Sequence, residues 1–364
     1  MRAEVSRRGD VVVIGVGIVG CNYGRTVLVP AFRADPRCKV VALAGSSAAR
    51  AAECARAVDV ERGLSDWRAL VEDPGVDVVA IAVPPDLQPE VARHALDLGK
   101  SVFVEKPLAG DLAGAQVVLA AARKSGRPVA IDFNFPELPS WRRAKAELGE
   151  IGQLRHVVVT WNVENQATRL RLQGWKTRAN GGGGLLGNFV CHCLHYLEWF
   201  CGPITGLSAH IFPLPDRAAE SSIALALAFA SGAGGSLQMS CASFRGSGHR
   251  LEFYGEDGSL VLANPTTDYF RGFELTYARR GDDALQSIAV EDAISDRFSD
   301  SRIAPVAQLI HRFIDACEGG GTPSPGVAEG YRVQCLIDAA RRAHATGHWI
   351  DVSGVDVPGA EASA

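Results

Sequence analysis

The feature that most restricts the fold is the run Val11-Val12-Val13-Ile14, which feeds directly into glycines at 15, 17 and 20. Four consecutive apolar, β-branched residues describe a strand buried on both faces, the kind found in parallel sheets covered by helices. The stretch after Gly20 is compatible with a helix as far as Phe32, and Asp35-Pro36 closes it. Strand, G-x-G-x-x-G and helix in that order form a dinucleotide fingerprint. On this reading Gly15 makes the tight turn, Gly17 admits a pyrophosphate to the backbone and Gly20 lets helix pack on strand, with Ile18 and Val19 inside the turn. The free N–H groups opening the helix then face the phosphates.

The alternation continues. Strands are expected at 39–44, 78–83, 101–104 and 129–133, with helices at 48–57, 89–98 and 113–124 between them. That spacing predicts an α/β fold whose N-terminal Rossmann domain (1–133) is a doubly wound parallel sheet. Beyond residue 134 the pattern changes to closely spaced strands, at 157–163, 223–230, 236–243, 250–254 and 259–263, joined by Gly-rich turns. Helices at 305–318 and 326–346 follow. Residues 134–354 are therefore expected to form a C-terminal α+β domain with a largely antiparallel open sheet, and 355–364 a disordered tail.

Two positions at strand ends carry chemistry. After 39–44 come Ala44-Gly45-Ser46-Ser47, with Arg50 close behind and no acid. NAD sites usually place a carboxylate there for the ribose hydroxyls, whereas Ser46, Ser47 and Arg50 suit a 2′-phosphate, so NADP(H) is expected over NAD(H). Glu105-Lys106-Pro107 follows the strand at 101–104 and places a lysine on the ligand side of the sheet. Lys106 can donate to a substrate oxygen, and Pro107 restricts its backbone.

With these motifs the chain resembles the Gfo/Idh/MocA (glucose–fructose oxidoreductase / inositol dehydrogenase-like) family over nearly its whole length. The resemblance rests on the glycine turn, Val83-Pro84-Pro85, the stretch ending Glu105-Lys106-Pro107 and Asn134. It extends to the glycines at 181–184 before a His-bearing helix and to Gly255-Glu256-Asp257-Gly258. It implies hydride transfer between a nicotinamide and a hydroxyl or keto carbon of a sugar, polyol or similar molecule, with Lys106 and His192 catalytic. It also implies that Pro84, Pro85, Glu105, Asn134 and Trp175 line the cofactor. The family's alternatives are a glycoside hydrolase that works through a retained NAD(P), and a nucleotide-binding regulator without chemistry.

The chain departs from the family pattern on the His-bearing helix, at Asn188, Val190 and His195, and at Gln88 in the Pro-Pro turn. Asn188 stands where an acid is usual, on a helical face expected to present Asn188, His192 and His195 together to substrate. Gln88 replaces a frequent histidine and is assigned to cofactor binding. Arg169, Arg171, Lys176 and Arg178 crowd the segment before the glycine run; they are able to grip a carboxylate or phosphate, but read most simply as a solvated basic loop. Cys191-His192-Cys193-Leu194-His195 resembles a metal cluster, yet on a helix Cys193 points away from Cys191 and His195, so no metal is expected.

Bulk properties exclude other classes. A net charge of −4 gives no electrostatic basis for nucleic acid or an anionic membrane as partner. No apolar run approaches the ~18 residues that span a bilayer. Nine cysteines without framework spacing fit reduced thiols and a cytoplasmic protein. The sheet of the second domain is expected to mediate a homo-oligomer.

Overall fold

The computed structural model describes residues 13–178, 181–214, 219–292 and 295–354; Val11, Val12 and the expected tail at 355–364 lie outside them. The first half runs β1 (Ile14–Val19), a π turn (Gly24–Leu28) into α1 (Val29–Arg33), β2 (Cys38–Ala44), α2 (Ala48–Ala57), β3 (Arg62–Leu64), α3 (Trp67–Val71), β4 (Val78–Ile81), α4 (Gln88–Asp97), β5 (Ser101–Val104), α5 (Leu112–Ser125) and β6 (Val129–Ile131). All six strands pair in parallel in the order β3-β2-β1-β4-β5-β6, the doubly wound arrangement. Every residue of β1, β4, β5 and β6 is buried, which is why these strands read as unbroken apolar runs. Side chains mark the helix starts. Ser47 accepts from the Arg50 N–H at α2, and Asp111 accepts from the Gly114 N–H at α5.

The expected turn at Gly15 is corrected by this sheet. Gly15 and Gly17 lie inside β1, paired with Lys39 and Ala42, and Ile18 and Val19 are buried strand residues. The glycines are there because neighbouring chain passes over the strand. A Cβ on Gly15 would meet the Gly75 carbonyl oxygen at 1.9 Å, and one on Gly17 would meet Leu70 Cδ2 at 2.5 Å. The chain turns one step later, through Gly20-Cys21-Asn22-Tyr23-Gly24.

The second half comprises α6 (Pro139–Glu147), β7 (Leu154–Asn162), α7 (Gln166–Arg169), α8 (Cys191–Cys201), β8 (Ile204–Pro213), β9 (Glu220–Phe229), β10 (Gly234–Ser240), β11 (Gly248–Gly255), β12 (Gly258–Asn264), β13 (Glu274–Arg279), β14 (Gln286–Ile288), α9 (Ile303–Cys317), α10 (Val327–Thr346) and β15 (Ile350–Asp351). The strands form one sheet in the order β14-β13-β12-β11-β7-β10-β9-β8-β15, antiparallel throughout except for β7 against β10. Its inner face packs Trp161, Leu225, Leu237, Leu251 and Phe253 into the core shared with Trp141 and Tyr196.

α9 leaves its own sheet. Its Val306, Ile310 and Phe313 pack with Val16, Ile18, Phe32 and Phe103 on one face of the N-terminal sheet, which they cover. Arg37 reinforces the junction, its guanidinium bonding Asp35, Asp315 and Glu318 at 2.7 Å each. No helix among the described residues is long and apolar enough to cross a membrane.

Candidate active site

The carboxyl ends of β1, β4, β5 and β6 open on one cleft, where a doubly wound sheet binds ligands. At the end of β1, Gly20 holds φ +127°, and a Cβ there would meet the Ala82 carbonyl oxygen at 2.2 Å. Only glycine lets the backbone pass this close to the end of β4. Gly24 docks the following turn on the strand, since a Cβ would lie 2.8 Å from Ile18 Cγ2. Arg50 Nη2 donates to Asn22 Oδ1 at 2.7 Å, which sets Arg50, and Ser47 at the start of its helix, beside the turn. Arg25 Nε is buried there with no partner among the described residues. A close-approach glycine, an unspent guanidinium and the acid-free end of β2 fit the phosphates of a dinucleotide.

At the end of β5, the Lys106–Pro107 peptide is cis, and Lys106 Nζ donates to the Asn188 carbonyl oxygen at 2.9 Å across the two domains. Gln88 is not at the cleft surface. It is 1% exposed, and its amide nitrogen donates to the carbonyl oxygens of Glu105 (3.0 Å) and Pro107 (2.6 Å). Its assignment to the cofactor is therefore corrected: the side chain clamps the backbone on either side of Lys106. Pro84 is half-buried at the cleft, whereas Pro85 is buried beneath Gly182, where a Cβ would lie 2.7 Å from Pro85 Cβ.

At the end of β6, buried Asp132 accepts from the Tyr23 hydroxyl at 2.9 Å and lies against Glu105. Burial, then the charge of Glu105, holds the Asp132 carboxyl well above its ordinary range. Asn134 is 2% exposed, its side-chain oxygen unpartnered among the described residues.

The second domain supplies the opposite wall. Asn188 sits in a π turn, Leu186–Val190, immediately before α8. Its amide nitrogen is spent on the carbonyl oxygens of Gly184 (2.6 Å) and Lys176 (3.4 Å). His192 is enclosed by the rings of Phe133 and Phe135, with centroids at 5.9 and 5.1 Å. Burial, then the Lys106 charge, depresses its pKa well below that of a free histidine, so the imidazole is neutral. His195 is not part of this group. It stacks on Phe133 at 4.4 Å and opens on a separate groove with Lys145, Trp199 and Arg312. Burial alone lowers its pKa, to about 3. The expected shared face of Asn188, His192 and His195 is thereby divided. Trp175 is half-buried at the rim, with the Lys176 ammonium 5.5 Å from its ring centroid.

Tyr23, Asp132 and Arg302 are site residues that received no role from the sequence. Arg302 lies over the Tyr23 ring at 5.6 Å. Asp132 had a visible signal, an acid at the end of an otherwise apolar strand. Arg302 had none, because α9 follows Asp132 by more than 160 residues.

A dinucleotide turn facing a lysine, with a histidine contributed by a second sheet domain, defines a two-domain nucleotide-dependent oxidoreductase. Residues 12–133 match the oxidoreductase family with an NAD-binding Rossmann fold, and residues 142–261 match the GFO/IDH/MocA C-terminal domain. An uncharacterised oxidoreductase of Synechocystis sp. is 30% identical over 94% of this chain and 96% of its own length. Levoglucosan dehydrogenase of Pseudarthrobacter phenanthrenivorans is 27% identical, over 83% of this chain and 86% of its own. A solved structure of levoglucosan dehydrogenase with NADH and levoglucosan superposes with a TM-score of 0.84 at 25% identity, covering 93% of this chain and 99% of that one. The chain belongs to the GFO/IDH/MocA family of oxidoreductases.

Proposed function

We propose that this protein interconverts a hydroxyl and a carbonyl on a sugar- or polyol-like substrate, using NADP(H) in preference to NAD(H). The observation that carries the proposal is the meeting of Lys106 and neutral His192, from different domains, at the carboxyl edge of the nucleotide-binding sheet. When bound, the nicotinamide supplies the hydride acceptor or donor. Lys106 hydrogen-bonds the reacting oxygen and stabilises its developing negative charge, while the neutral His192 imidazole accepts the hydroxyl proton; both roles reverse in reduction. The sugar-type substrate is supported by the levoglucosan dehydrogenase likeness. The choice of NADP(H) is supported by Ser46, Ser47 and Arg50, with no carboxylate at the end of β2.

The protein acts in the cytoplasm as a homo-oligomer. Support for assembly is the outer face of the large sheet, where β9 presents Ser222, Ala224, Ala226 and Ala228, a flat surface of small side chains. Sedimentation at micromolar concentration tests it, and a monomer would remove it. The catalytic proposal is tested by following nucleotide absorbance with dialysed protein, NADP+ or NAD+ and a panel of sugars and polyols. Net NADPH formation is expected. Hydrolysis of a glycoside without net reduction would overturn it.

A further inference from the structure

α6, α8 and α9 leave between them a groove of about 450 Å³ that the reaction outlined above does not use. Its volume lies within the range of small-molecule sites. Arg142 and Lys145 line it from α6, His195 and Trp199 from α8, and Arg312 from α9, whereas neither Lys106 nor His192 reaches it. Charge in the groove does not balance. Glu137, its side chain 1% exposed, is the one carboxylate among the described residues that line it. Half-exposed Arg142 and Arg312 both pair with it. Lys145 adds a third cation, and its ammonium donates only to carbonyl oxygens, those of Trp199 (2.6 Å) and Phe200 (3.2 Å) at the end of α8. Glu329 lies outside the lining, bonded to the Ser324 hydroxyl at 3.1 Å and the Gly326 N–H at 2.9 Å. The lining thus carries two positive charges in excess.

Donors in the groove are also unspent. Of the Arg142 nitrogens only Nη2 is bonded among the described residues, and Lys145 has three protons for two carbonyl oxygens. His195 is 8% exposed and stacks flat on Phe133 at 4.4 Å, yet its ring makes no hydrogen bond among the described residues. Burial keeps that ring neutral, so it carries one N–H and no charge of its own. A buried polar ring without a partner is an unusual thing to leave facing a cationic groove. Pro136, Pro325 and Trp199 complete the lining with apolar surface.

We propose that this groove is a second ligand site, distinct from the catalytic cleft, that takes a small organic dianion, a phosphate ester or a dicarboxylate. Its charged group meets Arg142 and Lys145 and accepts the His195 N–H, while its carbon body rests on Pro136, Pro325 and Trp199.

Calorimetric titration at low ionic strength tests this with glycerol 3-phosphate, malate and, as neutral control, glycerol. Saturating NADP+ or NAD+ keeps the probes from the nucleotide's own phosphate positions. A one-to-one isotherm is expected for an anion and none for glycerol, and the tighter anion separates phosphate ester from dicarboxylate. Arg142→Met should weaken binding by about 10- to 100-fold, the range of a charge-assisted hydrogen bond. Glu137 keeps Arg312 in that variant, and circular dichroism confirms that it is folded. Lys106→Ala, in the cleft, should bind the anion as the native protein does. In spectra of protein labelled at histidine with 15N, the titration should move the His195 resonance, which is identified by its absence from His195→Gln. No saturable binding of either anion, undiminished affinity in Arg142→Met or an unmoved His195 resonance would each overturn the proposal. Loss of binding in Lys106→Ala would do so too, by returning the ligand to the catalytic cleft.

Discussion

Gln88→Leu is the most searching test of how the cleft is held. The substitution keeps the volume of a side chain that is 1% exposed and removes its donor. Two carbonyl oxygens, of Glu105 and Pro107, then lose the amide that now bonds them at 3.0 and 2.6 Å. A buried polar group left unsatisfied costs about 1–3 kcal/mol, so two cost roughly 2–6 kcal/mol. Gln88 Oε1 has no partner among the described residues, so its removal returns some of that and favours the lower half of the range. Typical stabilities of about 5–15 kcal/mol tolerate such a loss. The functional effect should be larger than the structural one, because Lys106 lies between the released carbonyls, and a displacement near 1 Å costs about 10²-fold in rate. Urea unfolding and kcat on the same preparation measure both quantities. Gln88→His retains a ring N–H and should recover much of kcat. A Gln88→Leu protein with wild-type kcat and less than about 0.5 kcal/mol of destabilisation would refute the clamp, since that is the scale of an indifferent surface change.

Lys106→Ala should lower kcat by about 10²-fold or more while NADP+ still binds by fluorescence titration; an unchanged kcat removes the lysine from the chemistry. Arg50→Ala should raise KM for NADP+ about tenfold and leave that for NAD+ in place, whereas equal effects would eliminate the 2′-phosphate contact. The buried histidines predict acid sensitivity. Burial holds His192, His195 and His249 neutral, the last two with pKa values near 3. Their folded pKa values lie below the unfolded ~6.5, so below that pH the unfolded chain binds more protons and stability falls until the folded values are reached. From pH 7.5 to 5.5 His195 and His249 each contribute about 1.4 kcal/mol, about 3 kcal/mol together, and His192 acts in the same direction. Equal urea midpoints at the two pH values would contradict this.

Local chemistry was enough to write much of the first domain into the sequence. Ser101–Val104 and Ala48–Ala57 have the bounds expected of them, because a doubly buried strand is a continuous apolar run and an alanine-rich segment is helical wherever it packs. Glu105-Lys106-Pro107 was equally legible, since its position at a strand end follows from the strand. Only the tertiary structure decided the rest. Gly15 and Gly17 belong to β1 because Gly75 and Leu70 press on it, contacts between segments some 50 to 60 residues apart. Gln88 faces inward because the carbonyls of Glu105 and Pro107 await it there. His195 lies flat on the Phe133 ring and opens on its own groove, whereas His192 meets that ring edge to face. The Tyr23–Asp132–Glu105 cluster joins three strand ends that only the sheet makes neighbours. Periodicity reports which side of an element is buried; what it is buried against depends on chain far away.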